Sequence, residues 1–464
     1  MKKLTLLAGI LIFGLVLPAF VGGDFRLPPP EKIVLDNGLT VYYLRNSDLP
    51  LVNFRILVLG TGTAYEPAEE EGVADLTAQL LLKGTTEIDA EAVAETLDFM
   101  GANLEVRARD EFTEVSGECL TQYFPRLMEI TGSCLLKPAF KEEEFIKERA
   151  KRIDGIKAAK DDPNEAVRLY FRKAYFGTHP LGHLAGGTET SLKKMGLQEL
   201  THFYLAHFRP DQVIAAVVGD VSREDLVSLL KKHFGIWRNP ASAKPALSLP
   251  PLPKISAKKL VLVDKPDASQ AYFILGSPGY PMGDAVTPAA DVMNTLFGGR
   301  FTSWLSTELR IKRGLTYGAY SSFQPWRSGG LFTSASFTRN EKIGEMLDIT
   351  FDLLKKAREQ GFSAEEIESA HNYILGQFPP SLETNGRKAG AFTELAFYGL
   401  GFDYYTKLLK KIQDISPEAA REAALRLLPQ EGYVLLVLGK ESEISPLLKK
   451  FGTFQEKKIS DPDF

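Results

Sequence analysis

Near the middle of this chain, DQVIAAVVGDVSREDLVSLLKKHFGIW reads as a buried strand, a Gly turn and an amphipathic helix that lands on Phe234-Gly235. Near its end, EGYVLLVLGKESEISPLLKKFGTF repeats that order and lands on Phe451-Gly452. This internal repeat is the strongest constraint on the fold, because whatever the first half becomes the second must become as well. Each half also opens with paired strands, GLTVYYLRN and LVNFRILVLGTG in the first, KKLVLVDKP and QAYFILGSPG in the second. Between them RNPASAKPALSLPPLPKIS (238–256), rich in Pro, Ala and Ser, reads as an extended linker. At 464 residues the chain is too long for one ordinary core. The parse is two related domains, residues 30–237 and 257–455.

Within each half, strands and helices are mixed. LVNFRILVL is apolar at nearly every position after Asn53, which predicts a strand covered on both faces. EAVAETLDFMGANLEVRARDEFTEVSGECL predicts a helix ending at Gly101 and then the alternating strands of a meander. Long helical runs follow, KEEEFIKERAKRIDGIKAAKDD in the first half and GEMLDITFDLLKKAREQG and AEEIESAHNYILGQF in the second. The expected class is α/β of the α+β type. Two tandem homologous domains each carry a mixed, largely antiparallel sheet with helices packed mainly on one face.

A net charge of −4 argues against a nucleic-acid partner, which would need a basic face. The N-terminus has a secretory layout. Lys2-Lys3 precede an uncharged run from Leu4 to Gly23, and Val21-Gly22-Gly23 supplies small residues for cleavage before Asp24. Residues 1–23 are therefore expected to be a signal peptide and the protein to be exported, most simply to a periplasm. The rival is an uncleaved membrane anchor through residues 4–23. Cleavage would leave no stable anchor, and no Cys lies near that site to carry a lipid. Cys119 and Cys134 are the two cysteines of the chain. In an exported protein they either pair, closing a loop worth roughly 3 kcal/mol, or are both small buried hydrophobes.

Residues 71–85, EGVADLTAQLLLKGT, form an amphipathic helix closing on Lys83-Gly84-Thr85. The stretch resembles the zinc helix of the insulinase, pitrilysin and mitochondrial-processing-peptidase family, which typically reads G-L-A-H-F-L-E-H-M-L-F-K-G-T. In that family the inverted motif H-x-x-E-H sets two imidazole ligands and a general-base Glu on one helix face. On this alignment the ligand positions are Asp75 and Gln79, and the base position is Ala78. The family's third ligand is a Glu seven residues after another Glu in a long helix. In FIKERAKRIDGIK, Glu148 matches the first, and the ligand position is Gly155. Asp154 cannot substitute, since it points about 100° away on the helix. Catalytic zinc needs three protein ligands, so the resemblance implies that this chain binds no zinc.

FGGRFTSWLSTELRIKRGLTYGAYSSF is similar to the family's C-terminal signature, a small-residue turn, a helix, then R-x-x-x-G-L-x-Y. The helix should run from about Thr302 to Arg313 with Gly314 as a left-handed cap. A strand from Thr316 to Phe323 should then bring Tyr317 near Arg310. In the family such an Arg/Tyr pair holds the substrate backbone and helps stabilise the tetrahedral oxyanion above a zinc in the facing domain of a clam-like pair. A guanidinium and a phenol are donors suited to that charge.

Other candidates carry less. His179 and His183 in HPLGH lie at i and i+4, but Pro180 and Gly182 argue for a loop, and the family has a similar stretch without metal. His202 and His207 are expected to pack. Glu105-Val106 stands where active members present an Asn-Ala pair to a peptide backbone. Gly298-Gly299 is not a nucleotide fingerprint. The resemblance, covering nearly all of residues 30–455, therefore implies a non-catalytic subunit of a heteromeric zinc peptidase. It would supply Arg310 and Tyr317 to a homologous H-x-x-E-H partner that holds the zinc and acts on unfolded peptides. The alternative is a peptide-binding or structural assembly protein with no role in hydrolysis.

Overall fold

The computed structural model describes residues 26–240 and 244–464. The expectation of a signal peptide at 1–23 lies outside them. In the first half the strands are β1 Glu31–Val34, β2 Thr40–Arg45, β3 Leu51–Leu59, β4 Asn103–Ala108, β5 Phe112–Leu120 and β6 Val213–Gly219. The helices are α1 Val73–Leu80, α2 Ala90–Met100, α3 Phe124–Leu136, α4 Glu142–Asp161, α5 Pro163–Phe176, α6 Glu189–Lys194, α7 Leu197–His207 and α8 Arg223–His233. The second half carries β7 Lys259–Asp264, β8 Gln270–Pro278, β9 Ala319–Pro325, β10 Gly330–Arg339, β11 Val434–Gly439 and β12 Gln455–Lys458. Its helices are α9 Thr287–Asn294, α10 Ile343–Glu359, α11 Ala364–Gln377, α12 Asn385–Tyr398, α13 Tyr404–Gln413, α14 Pro417–Leu427 and α15 Glu441–Leu448.

The repeat in the sequence is a repeat in topology. The two six-stranded sheets run β1-β2-β6-β3-β5-β4 and β12-β7-β11-β8-β10-β9. In each, the strand of the repeated strand-helix unit pairs in parallel with the half's opening strand, β6 with β2 and β11 with β7. The same strand pairs antiparallel with the next one, β3 or β8. Local chemistry sets the element ends as expected. Ser222 caps α8 through Asp225 N, and α2 stops at Gly101 with φ of 56°.

The all-apolar strands have a tertiary explanation. On β11, Val434, Leu436 and Leu438 join the core containing Tyr170 and Phe171 of α5, a first-half helix. Leu435 and Val437 face the second half's own core. The mirror arrangement holds on β6, where Val213, Ala215 and Val217 face the first core while Ala216 and Val218 meet Ala389, Phe392 and Leu395 of α12. Each sheet thus has its own helices on one face and a helix lent by the other half on the second. The lent helix fits closely: a Cβ on Gly276 of β8 would lie 2.2 Å from the Phe171 ring. Truncating Phe171 or Phe392 would remove about 3–5 kcal/mol, so the two halves stabilise one another.

The described part of the segment joining the halves, from residue 244, is tied to the first half. Gln212 Nε2 donates to Pro245 O at 3.0 Å, Tyr65 Oη to Leu247 O at 2.8 Å and His179 Nε2 to Pro250 O at 3.0 Å. The second sheet runs past residue 455, because β12 adds in parallel to β7. The chain end then returns to the first half, where the Phe464 ring packs on Tyr170 at 5.2 Å. Cys119 on β5 and Cys134 on α3 are free buried thiols in the structure, packed as two small core residues. Burial pushes both up to about 12, so neither supplies a thiolate at neutral pH. Among the described residues no helix is long and apolar enough to cross a membrane.

Candidate functional site

The N-terminus of α1 is anchored by buried acids. Glu66 accepts from Gly72 N at 3.1 Å and Ala74 N at 2.9 Å, filling donors that a helix start leaves open. Burial pushes its carboxyl up to about 7, opposed by hydrogen bonds from His183 and those two amides. Glu71 accepts twice from Lys173 Nζ at 2.7 Å. These contacts press α1 against its surroundings and decide which way its next turn points.

That next turn carries the positions assigned to zinc. Asp75 is 7% exposed and lies in ion-pair contact with the Arg152 guanidinium of α4, off the direction of a hydrogen bond. Burial raises the Asp75 carboxyl to about 6, with Arg152 pulling it down and Glu148 pushing it up. Glu148, 4% exposed, pairs with Lys83 at 3.0 Å and more distantly with Lys151 at 3.9 Å. Ala78 is fully buried in the core. Gln79 turns its amide to the Val106 carbonyl on edge strand β4, Nε2 donating at 3.4 Å. At Gly155 a Cβ would meet nothing within 4 Å, so space for a side chain exists but no ligand fills it.

Zinc does not fit this donor set. The one carboxylate among the assigned positions is matched by a cation of the chain itself, and the other three positions offer an amide, a methyl group and a hydrogen atom. Among the described residues no group of three or more His, Cys, Asp or Glu side chains could hold a metal ion. Arg152 and Lys83 were missed in reading the sequence. The signal was present: Arg152 lies four residues after Glu148 and three before Gly155, so all three share one face of α4.

The C-terminal signature folds partly as expected. Ser306–Lys312 is a π-helical segment, and Gly314 with φ of 60° closes it, its N–H donating to Arg310 O at 3.1 Å. The following strand starts later than the spacing suggests, at Ala319. Thr316 Oγ1 accepts from Gly318 N at 3.1 Å and holds residues 316–318 in a turn off the sheet. Tyr317 therefore stands on a turn and not a strand. It is 82% exposed, and its hydroxyl bonds to no described residue. The Arg310 guanidinium lies 4.4 Å from the centre of the Phe301 ring. Phe301, Ile311 and Tyr320 of the same segment are exposed as well.

The histidines of HPLGH hold a turn. His179 Nδ1 accepts from Leu181 N at 3.1 Å, and His183 Nδ1 donates to Thr63 O at 3.0 Å. His207 Nδ1 donates to Gly60 O at 2.8 Å, with its ring stacked on Phe203.

Known proteins resemble this arrangement. Residues 52–189 match the family described as Insulinase (Peptidase family M16), and residues 194–373 match the Peptidase M16 inactive domain. An uncharacterized zinc protease of Mycobacterium tuberculosis is 26% identical over 416 residues, 88% of this chain and 93% of the relative. A non-peptidase homolog of Helicobacter pylori is 25% identical over 384 residues, 81% of this chain and 86% of the relative. The crystal structure of a peptidase M16 inactive domain from Pseudomonas fluorescens superposes with a TM-score of 0.82 at 23% identity, covering 92% of this chain and 99% of that one. A protease from Helicobacter pylori superposes with a TM-score of 0.83 at 21% identity, covering 89% and 100%.

Proposed function

This chain belongs to the insulinase family, peptidase family M16, as an inactive-type member, and from that premise we propose that it is the non-catalytic subunit of a heteromeric zinc metallopeptidase. In this reading a homologous partner carries H-x-x-E-H and the zinc, while this chain binds none. Arg310 and Tyr317 hold an unfolded peptide and stabilise the oxyanion in the partner's site. The observation that carries the reading is the state of the pair. Tyr317 is 82% exposed with a free hydroxyl, and Arg310 rests on an aromatic ring without a carboxylate partner among the described residues. Donors left unspent within one chain are suited to work in another, and the exposed aromatic residues around them suit an interaction surface. The quenched pairs at Asp75 and Glu148 support the complementary half, that hydrolysis needs a second chain. The protein is exported in this reading, with residues 1–23 removed before Asp24. Mass spectrometry of the native protein tests that step, and an intact N-terminus in the membrane fraction would mark an anchor instead.

Kinetics on the co-purified complex test the central claim. Arg310→Ala or Tyr317→Phe should lower turnover by roughly 10²–10³-fold without breaking assembly, the scale for losing an oxyanion donor. Arg310→Lys should rescue poorly, since a point-charge ammonium does not reproduce the guanidinium fork. Full activity in the Arg310→Ala complex would leave this chain as a binding or structural subunit. Metal analysis of the purified chain should find no stoichiometric zinc, and Asp75→His, Ala78→Glu and Gln79→His together should not restore it while Gly155 leaves the third ligand missing.

A further inference from the structure

A second buried carboxyl lies on the helix that repeats α1. α9 follows β8 as α1 follows β3, and β8 and β3 hold equivalent places in their sheets. Asp291 of α9 has no hydrogen bond or ion pair with any described residue, and burial pushes its carboxyl up to about 7. It lines a cavity of about 280 Å³ formed by α9, the loop after β8, β9, α12 and α13. Glu394 of α12 lines the same cavity, as do the rings of Tyr280, Tyr398, Tyr404 and Tyr405. No Lys, Arg or His is among its lining residues.

The lining selects one kind of ligand. An anion would face two carboxyls. A neutral ligand would leave Asp291 with the choice of an unpaired buried charge or a proton, and an unpaired buried charge is costly. A divalent metal ion would find two carboxylates where hard cations take six or more oxygens. An organic cation meets both needs, since it neutralises the acids while tyrosine faces attract its charge. The phenols are placed for this. Tyr405 donates to Glu394, Tyr404 is hydrogen-bonded to Thr287, and the Tyr404 and Tyr405 ring centres are 5.6 Å apart, edge to face. Burial raises all four phenols, so they stay neutral as donors and π faces. Arg55 on β3 acts on Glu394 from outside the cavity, but it is paired to Glu114 at 3.0 Å. Asp291, Tyr398, Tyr404 and Tyr405 keep partial exposure, so the cavity is reachable from solvent.

We propose that this cavity is a binding site for one organic cation of side-chain size, an alkylammonium or guanidinium group held by Asp291 and Glu394 within a cage of tyrosines. The site is independent of Arg310 and Tyr317 and does not rest on the peptidase reading.

Isothermal titration of the full chain with pentylammonium, pentylguanidinium, hexanol, hexanoate and calcium tests it. One equivalent of at least one organic cation should bind, while hexanol, hexanoate and calcium should not; the two cation arms tell an ammonium source from a guanidinium one. Asp291→Asn should weaken binding at least about tenfold, as expected for a lost charge-assisted contact, and Glu394→Gln should weaken it less, because Arg55 already offsets that charge. Binding should tighten from about pH 5.5 to about pH 8 and release protons near neutrality, since the cation competes with the proton on Asp291. The groups facing Asp291 are Tyr280 and Tyr404, and those facing Glu394 are Arg55, Tyr398, Tyr404 and Tyr405; burial raises Glu394 as well, so Asp291→Asn is the variant that assigns the released proton. Equal binding of hexanol and the cations would reduce the cavity to an apolar gap. Binding of calcium alone, or of no cation in the wild-type chain, would overturn the proposal.

Discussion

The helices α1 and α9 occupy equivalent places in the two halves, and each buries a carboxyl with an unusual environment. On α1, Asp75 is answered from within the chain by Arg152, and the neighbouring Glu148 by Lys83. On α9, Asp291 has no cation, and burial alone raises it to about 7. The difference lies in what packs against each helix. α1 meets α4, whose face carries Glu148 and Arg152 together. α9 meets α13 and α14, and the cavity that Asp291 lines presents phenols, aliphatic groups and the Glu394 carboxyl, with no Lys, Arg or His among its lining residues. Duplicated scaffolds need not treat equivalent helices alike: the first closes its acid with an internal ion pair, while the second keeps its acid facing a cavity.

The largest expected effect is on the closed side. Arg152→Ala would leave Asp75 short of a cation, and breaking a buried pair costs about 3–5 kcal/mol. Arg152 keeps 31% of its side chain exposed, so the low end, about 3 kcal/mol, is expected near pH 8 in urea unfolding. The loss should shrink near pH 5, where Asp75 takes up a proton. A neutral Arg152→Ala would mean that Arg152 does not quench Asp75, and the contrast with α9 would collapse.

A matched pair of Asp→Asn exchanges sharpens the contrast. The folded-state pKa of Asp291 is raised from 3.8 to about 7. The stability this carboxyl contributes is therefore fully present below the unfolded pKa and lost as pH rises through about 7. Asp291→Asn removes that loss. It should be nearly neutral near pH 4 and stabilising by about 1–2 kcal/mol near pH 8, less than the full shift implies because Asp291 keeps some exposure. Burial raises the Asp75 carboxyl only to about 6, because Arg152 pulls it down, so Asp75→Asn should stabilise near pH 8 by less than Asp291→Asn. An equal or larger gain at Asp75 would place the two helices in one electrostatic class.

The smallest effect concerns the cysteines, both in the first half. If they are free, reductant should leave the melting temperature unchanged, and thiol reagent should titrate two groups only after unfolding. A disulfide would be worth roughly 3 kcal/mol, and a melting temperature that falls with reductant would show that the first half is stapled and the second is not.

Much of this was legible in the residues. The strand pairs at the start of each half, the cap at Gly314 and the end of α2 at Gly101 follow from local chemistry that any tertiary setting would respect. The resemblance assigns zinc-ligand and base positions to Asp75, Ala78, Gln79 and Gly155, and side-chain identity alone decides what such positions can coordinate. The strand expected from Thr316 begins at Ala319, because the Thr316 hydroxyl, accepting from Gly318 N, holds Tyr317 in a turn. The thiols of Cys119 and Cys134 were open to either reading, because spacing along the chain says nothing about the direction of their Cβ atoms.

By itself the sequence determined that this protein is a duplicated α/β chain of the insulinase family. Only the tertiary structure decided that the halves exchange helices α5 and α12, that Arg152 quenches Asp75, and that Asp291 faces a tyrosine-lined cavity. The physical reason is the same in each case. Periodicity reports which face of an element is buried, and an all-apolar strand such as VLLVLG reports that both are. Neither names the element that does the covering, and it is the charge and shape of that partner that decide what a buried group can do.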